Sequence, residues 1–528
     1  MIKNKENIFG ASAYNDHIKS MIKIGVALSG EKNIDRLLEM ILNEARKFTN
    51  ADGGTLYIMS DDETELLFAI IQNDSLSVHM GGTGGKITWP AVKLKNIDDS
   101  PNHSNVSAYV AISGEVVNID DVYNAHGFNF EGTKKYDQDS GYRSQSMLVV
   151  PMRNHENDII GVLQLLNAQD QAAGAVVNFS LESQEMTLSL ASQAAVALTN
   201  NRLISDLENL LESFIKTIAT AIDEKSPYTG GHVRRVAQLT MTIANKINEK
   251  KQGPFASVVF TEDQMRELRM AAWLHDVGKI TTPEHVVDKS TKLEKVYDRI
   301  ADVKTRFELL KREYQLAMRK VKNNEAGDLP DIVEREINKL DEEYNFLVQV
   351  NRGSEFVKDE MIERIKEIGK RKWSANSQNL PLLTEDEIYN LSVRHGTLNE
   401  EERNIINNHA AVSYKMLSGL PFPKKMRHIA DYAAAHHEKL DGTGYPLGLR
   451  DDQLFLQSRI IAIADIFEAL TAKDRPYKKD KTVAEALKIM EAMVKNKHID
   501  ADLFELFIQE KIYKDYARQE MAEQQIDM

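Results

Sequence analysis

Between residues 33 and 48, apolar side chains recur at Ile34, Leu37, Leu38, Ile41 and Leu42, the three-and-four spacing of a single helical face. The period then changes. Asp52-Gly53-Gly54 interrupts the pattern, and Thr55 to Met59, Leu66 to Ile71 and Val116 to Ile119 read as strands. Ser146 to Pro151 and Ile159 to Leu166 read as a strand pair joined by the polar turn Arg153 to Asp158. This mixture predicts an α+β domain over residues 18–200 with a mainly antiparallel sheet.

From Leu181 the helical period returns and persists to Lys225. Within it Leu203, Leu207, Leu210, Phe214, Thr217 and Ala221 alternate by four and three, as in a coiled-coil seam. The seam predicts a homodimer through this connecting helix, residues 181–225; the alternative is an amphipathic helix packed on its own domain. Beyond it the chain reads as almost entirely helical. Val296, Ile300, Val303, Phe307, Leu310, Tyr314, Ala317 and Val321 form one heptad series, and Val333, Ile337, Leu340, Tyr344 and Leu347 form another. Gly327 and Pro330 mark a turn between them, which predicts an antiparallel helical hairpin.

Length and composition narrow the class. A chain of 528 residues is too long for one core and predicts two or three domains. No apolar run approaches the roughly 20 residues that span a bilayer, and MIKNKENIFG lacks the apolar stretch of a secretory leader. With no cysteine, disulfides, thiolate metal sites and cysteine nucleophiles are excluded, and a cytoplasmic location is expected. A net charge of -14 argues against broad binding to nucleic acid or to anionic membranes.

The candidate chemistry lies in the second half. Five histidines and two aspartates stand out: His232, His275, Asp276, His409, His436, His437 and Asp465. Singly each is a weak signal, since a lone histidine such as His409 is more often a surface or hydrogen-bonded core residue. Together, imidazole and carboxylate are the expected ligands for Fe, Mn or Zn where no thiolate exists. Seven such groups exceed what one six-coordinate ion needs and suit two ions, with Asp276 able to span both through its two oxygens. Two metals about 3.5–4 Å apart polarise a phosphoryl oxygen and activate water. Lys279, one turn after His275, is suited to place a cation over a phosphate. Amphipathic stretches at Met265 to Leu274, Glu401 to Leu417 and Arg459 to Leu470 predict helices as the scaffold.

In this order, His275-Asp276-Val277-Gly278-Lys279, the run from His436 through Gly444-Tyr445-Pro446, and the run from Ala464 to Lys478 resemble the HD-GYP family of HD-superfamily metal phosphohydrolases. The likeness runs from about Leu210 to Asp480. It implies an HD-GYP domain over residues 208–522, interrupted by extra sequence at about 290–392. It also implies hydrolysis of cyclic di-GMP to linear pGpG, which some members carry on to GMP, or a preference for cyclic GMP-AMP. Carried over by position, the seven residues above are the metal ligands, Asp276 and Lys279 are catalytic, and Lys279, Arg475 and Lys478 contact substrate phosphates. Gly444, Tyr445 and Pro446 form a loop that shapes a surface or a contact with a signalling-protein partner. Some members place a glutamate four residues before the first histidine to hold a third metal. Here that residue is Tyr228, a poor ligand at its ordinary pKa near 10, so two divalent ions are expected, Fe or Mn.

The first half resembles a GAF domain through Val117 to Asp121, Phe128, Ser140 to Ser144 and Gly161 to Asn167. Asn167 and Phe179 of a cyclic-nucleotide-binding signature are present. Ala168 replaces its lysine and Ser183-Gln184 its acidic pair, so the GAF ligand is unspecified, and a bare dimerisation module is an equal reading. The whole is a multidomain chain: an α+β GAF domain with an antiparallel sheet and flanking helices, joined by a long helix to an all-α HD-GYP domain carrying a helical-hairpin insertion. A phosphodiesterase regulated by its GAF domain is one functional reading. A catalytically weak scaffold responsive to cyclic dinucleotides is the other.

Overall fold

The computed structural model describes residues 22–170, 172–225, 230–320, 329–375, 378–472 and 481–527. The chain divides into two compact units, Met1–Leu210 and Leu211–Met528.

In the first unit, helix α1 (Ile34–Thr49) begins at Asn33, whose side chain accepts the Arg36 N–H, and buries the predicted face. The sheet runs in the order β3 (Val78–Gly81), β2 (Glu65–Asn73), β1 (Ala51–Met59), β7 (Ile159–Gln169), β6 (Met147–Arg153), β5 (Val117–Ile119). β4 (Val92–Lys93) pairs with β2 and β8 (Val176–Val177) with β7. Each of these pairings is antiparallel. Side chains alternate across a strand, so Leu148 and Val150 join a core with α1 and the start of the connecting helix. Met147 and Val149 face a second core with helix α2 (Val106–Ser113) and with Phe130, which precedes helix α3 (Glu131–Ser140). Both faces are covered, so β1 is buried along most of its length and shows no polar alternation. Asn167 is a structural residue here. Its side chain accepts the Gln145 N–H at 2.7 Å and donates to the Arg143 carbonyl at 2.7 Å and the Tyr142 hydroxyl at 2.9 Å.

The connecting helix α4 (Leu181–Asp223) is continuous across the division between the units. Leu203, Leu207, Leu210, Phe214, Thr217 and Ala221 are all exposed on it. The core of the second unit takes Ile215 and Ile222 instead. The seam residues therefore do not pack on the chain's own domain.

The second unit is largely helical: α5 (His232–Glu249), α6 (Glu262–Leu274), α7 (Ile300–Lys320), α8 (Leu329–Asn351), α9 (Asp359–Lys370), α10 (Glu385–Leu391), α11 (Glu400–Ser418), α12 (Ile429–Ala434), α13 (Leu456–Thr471) and three C-terminal helices. One core joins α5, α6, α12, α13 and those last helices. A separate core lies inside the insertion. There α7 and α8 pack antiparallel, as expected, with Phe307 against Tyr344 and Lys311 paired with Asp341. Of the turn expected between them over residues 323–330, residues 323–328 lie outside the described residues, and Leu329 and Pro330 belong instead to the first turn of α8, where proline is tolerated. The insertion is more than a hairpin, because α9, α10 and a two-stranded sheet, β9 (Lys372–Ala375) with β10 (Gln378–Pro381), complete its core. The second unit is thus not all-α. Four-residue strands with mixed polar composition are too short to show a period of two, which is why the sequence reading missed them. Among the described residues, no helix is long and apolar enough to cross a membrane.

Candidate metal centre

Five segments bring the seven residues together. His232 is the first residue of α5, after Gly231 in a left-handed conformation (φ 81°). His275 caps the C-terminal end of α6, whose start is held by a reciprocal Thr261–Gln264 capping box. Asp276 follows and leads into a 3-10 turn, Val277–Thr281, that carries Lys279. His409 is buried on α11, and Asp465 on α13. His436 and His437 lie on the 3-10 turn Ala435–His437 that ends α12. All three expected scaffold helices are present: α6 leads into His275, and α11 and α13 carry His409 and Asp465, while α5 adds His232. The adjacent pairs His275-Asp276 and His436-His437 instead sit where helices end. Neighbours on a continuous helix diverge by about 100°, and the change of backbone at a helix end lets both members of a pair turn inward.

Asp276 is the hub. Its Oδ2 lies 3.4 Å from His232 Nε2 and 3.3 Å from His275 Nε2, while its Oδ1 lies 3.2 Å from His409 Nε2. Asp465 Oδ1 is 3.3 Å from His232 Nε2 and 3.9 Å from His275 Nε2. Candidate ligand atoms of His232, His275 and Asp276 lie within 4.8 Å of one another, as do those of His409, His436 and His437. Asp276 therefore faces both groups with different oxygens.

The imidazoles are oriented from behind. His275, His409 and His436 each donate Nδ1–H to the carbonyl three residues earlier, Ala272 at 2.8 Å, Ile406 at 2.6 Å and Ala433 at 2.6 Å. A carbonyl only accepts, so each Nε2 presents its lone pair. His232 Nδ1 is held instead by the Glu468 carboxylate at 2.5 Å. Five inward atoms, Nε2 of His232, His275, His409 and His436 and Oδ1 of Asp276, are buried without a hydrogen-bond partner. Unsatisfied buried polar atoms are costly. Five of them converging on one spot fit a cation-binding donor set.

The electrostatics agree. Burial works against a charged imidazole at His232, yet Glu468, Asp276 and Asp465 hold its pKa well above the ordinary value. The field there favours positive charge. Burial also works against ionised Asp276, but Lys279 and the adjoining His275 hold its carboxyl well below the usual range. Burial, then its histidine neighbours, pushes His436 well below the ordinary imidazole value, and burial takes His437 down to about 3. Both are neutral at pH 7, the protonation state in which imidazole is a ligand.

Lys279 Nζ sits 2.6 Å from Asp276 Oδ2 on the partly exposed side of the site. Tyr445 packs its ring 4.8 Å from that of His437. Tyr228, Arg475 and Lys478 lie outside the described residues.

Sequence reasoning missed several supporting residues. Glu468 is one turn beyond Asp465 and joins His232 to Arg235, whose Nε donates to Glu468 Oε1 at 2.7 Å. The signal was the matched spacing of His232 to Arg235 and Asp465 to Glu468. Buried Glu438 accepts the N–H groups of Leu447 at 2.6 Å, Gly448 at 3.1 Å and Leu449 at 2.9 Å, and so closes the Gly444-Tyr445-Pro446 loop. A Cβ at Gly444 would lie 2.4 Å from Glu438 Cα, and one at Gly278 would lie 2.0 Å from the His409 carbonyl oxygen. Gly278 thereby lets the Asp276 turn lie directly on α11, where its N–H donates to Ser413 Oγ at 2.9 Å and that hydroxyl donates to the His275 carbonyl at 3.1 Å.

The family comparisons define the class. Residues 33–198 match the GAF domain model, and residues 229–344 and 383–503 match two HD domain models. The chain thus joins a GAF domain to a largely helical HD region, as both resemblances implied. Among curated proteins, a 3'3'-cGAMP-specific phosphodiesterase of Vibrio cholerae is 47% identical over 97 residues, 18% of this chain and 20% of that protein. A cyclic di-GMP phosphodiesterase of Pseudomonas aeruginosa is 36% identical over 113 residues, 21% of this chain and 26% of that protein. A cyclic di-GMP phosphodiesterase of Thermotoga maritima is 33% identical over 132 residues, 25% and 35% of the two chains. The chain therefore matches only about a fifth to a third of the length of these relatives. Among solved structures, the GAF domain of an Acinetobacter phosphoenolpyruvate-protein phosphotransferase aligns over 36% of this chain and 97% of its own, at 13% identity and a TM-score of 0.27.

Proposed function

We propose that the protein is a binuclear-metal phosphodiesterase that hydrolyses cyclic di-GMP to linear pGpG and is regulated by its GAF domain. The observation that carries this is the convergence of four buried imidazole Nε2 atoms without hydrogen-bond partners around Asp276, whose two oxygens face different histidine groups. His232, His275, His409, His436, His437, Asp276 and Asp465 would hold two divalent ions, Fe or Mn, with Asp276 shared between them. Such ions supply Lewis acidity toward a phosphoryl oxygen and a lowered pKa for water. The chain's own work is positional. Three backbone carbonyls and Glu468 fix the imidazole tautomers. Lys279, already at the edge of the site on Asp276, is placed to hold a non-bridging phosphate oxygen. Arg475 and Lys478 are assigned to the remaining phosphate charge by resemblance. One water is consumed for each P–O bond broken, and the departing ribose oxygen takes a proton.

The substrate assignment is supported by the relatives that act on cyclic di-GMP, while those specific for 3'3'-cGAMP support the neighbouring reading. Full-length protein assayed with Mn(II) or Fe(II) on cyclic di-GMP, 3'3'-cGAMP and a simple aryl phosphodiester distinguishes them. Cyclic di-GMP should be cleaved fastest, and Asp276→Ala should lower turnover by more than about a hundredfold. Residual activity within about tenfold of the unaltered protein would place the reaction at another site. We further assign a homodimer to α4, because its heptad seam is exposed along Leu203, Leu207, Leu210 and Phe214.

A further inference from the structure

We propose that Asp223 and Lys225, at the C-terminal end of α4, are positioning residues that set the two metal-ligand segments nearest that helix, so that the rotational phase of α4 is felt at the metal centre. This rests on the metal-centre reading above and adds to it the residues through which the connecting helix acts. Asp223 is the last residue of α4 and is buried. Its Oδ2 accepts the N–H of Val233 at 3.2 Å, directly after His232 at the start of α5. Lys225, two residues on, donates through Nζ to the carbonyls of Ile280 and Thr282, both at 2.8 Å. Those carbonyls lie at the end of the 3-10 turn that begins after Asp276 and carries Lys279, and Thr282 N–H closes that turn on the Lys279 carbonyl at 3.0 Å. Within three residues the chain leaving α4 therefore grips the His232 segment with a carboxylate and the Asp276–Lys279 segment with an ammonium.

The arrangement makes α4 a lever with a fixed end. Ile215, Ala219 and Ile222 anchor its last turns in the core, and a hydrogen-bonded helix transmits rotation stiffly. One residue of phase error turns the helix by about 100°, which would carry Asp223 away from Val233. Displacements of about 1 Å at a reacting centre are enough to cost a hundredfold in rate. A positive charge on the last carbonyls of a helical turn also suits their partial negative charge.

The test uses the full-length protein, with Mn(II) affinity from calorimetric titration of the metal-free form as the first readout, and kcat and KM on the cyclic dinucleotide as the second. Lys225→Met should weaken Mn(II) binding and lower kcat by about tenfold each, with KM changed less than about threefold, and Lys225→Arg should restore both. A single alanine inserted after Leu210 should also weaken Mn(II) binding, whereas a seven-residue helical insertion, close to two full turns, should leave it near its original value. In the Lys225→Met background the two insertions should become equivalent. Unchanged Mn(II) affinity and kcat in Lys225→Met, or a phase difference that survives that substitution, would overturn the proposal. Should Lys225→Met fail to fold, the two insertions and Lys225→Arg still decide it. Mn(II) binding without cyclic dinucleotide turnover in the unaltered protein would refute the substrate reading alone, and no Mn(II) binding would refute both.

Discussion

Several side chains in this protein work through another group. Glu468 touches the candidate ligands only through His232, yet it sets that ring's tautomer and supplies negative charge behind it. Glu468→Gln keeps the shape and removes the charge, and should weaken Mn(II) binding by about tenfold or more in a titration of the metal-free protein. Affinity within about twofold would mean that His232 is oriented by other groups. Lys292, at the entry to the insertion, offers a separate check. It is fully buried and donates to the carbonyls of Leu391 at 3.2 Å and Val393 at 2.6 Å. Burial pushes its ammonium down to about 8, against about 10.4 in an unfolded chain. Below pH 8 both states hold the proton and the full cost of burying the charge is present. Between about 8 and 10.4 the unfolded state binds more protons, so stability rises with pH, by at most about 3 kcal/mol in all. The thermal midpoint of the unaltered protein should gain on that of Lys292→Met as pH rises from 8 to 10. A constant difference would refute the burial argument.

The connecting helix is the element whose sequence pattern and structure bear on each other most directly. A four-and-three apolar alternation is compatible with packing on the chain's own domain or with a second helix, and periodicity does not choose between them. The exposure of Leu203, Leu207, Leu210 and Phe214 removes the first option for those residues, while Ile215, Ala219 and Ile222, on another face of the same helix, enter the core. Replacing Leu207 and Phe214 with aspartate places charge in the proposed seam. It should weaken dimerisation by at least about a hundredfold in sedimentation equilibrium, since burying an unpaired charge costs several kcal/mol. A double variant that remains as dimeric as the parent would move the interface elsewhere. The final turn of α4 was legible as helix, but its two attachments to the ligand segments were not, because they join residues 55 and 57 positions apart on one side and 10 on the other through hydrogen bonds with no periodic signature.

At the scale of the whole second unit, the insertion forms a core of its own, distinct from the one that carries the metal centre. Its two ends meet where Lys292 reaches the Val393 carbonyl, and Lys289 is ion-paired with Glu402 at 2.7 Å beside them. Glu402 also closes the capping box with Asn399 at the start of α11, the helix of His409. Replacing residues 293–392 by a short glycine-serine linker should therefore leave the metal-binding core folded, with Mn(II) affinity within about threefold of the intact chain, because few contacts of that core are removed. Loss of Mn(II) binding in a variant that still shows helical circular dichroism would make the insertion part of the metal centre's scaffold.

The sequence by itself determined the elements with strong periods and the identities of the candidate ligands. The α1 face, the long α4 and the α7–α8 pair announce themselves through local spacing, which burial on one face imposes residue by residue, and β1, β2, β6 and β7 through short apolar runs bounded by turn residues. Histidines and aspartates in a chain without cysteine also limit the chemistry before any fold is known. Only the tertiary structure decided how those ligands meet: Asp276 between two histidine groups, helix ends turning adjacent residues inward, Gly278 and Gly444 admitting close backbone approach, and Glu468 and Glu438 holding what the ligands and the loop require. Those arrangements depend on contacts between residues far apart in the chain. Hydrogen bonds and close packing between distant segments leave no period in the sequence, so the donor atoms were legible and their convergence was not.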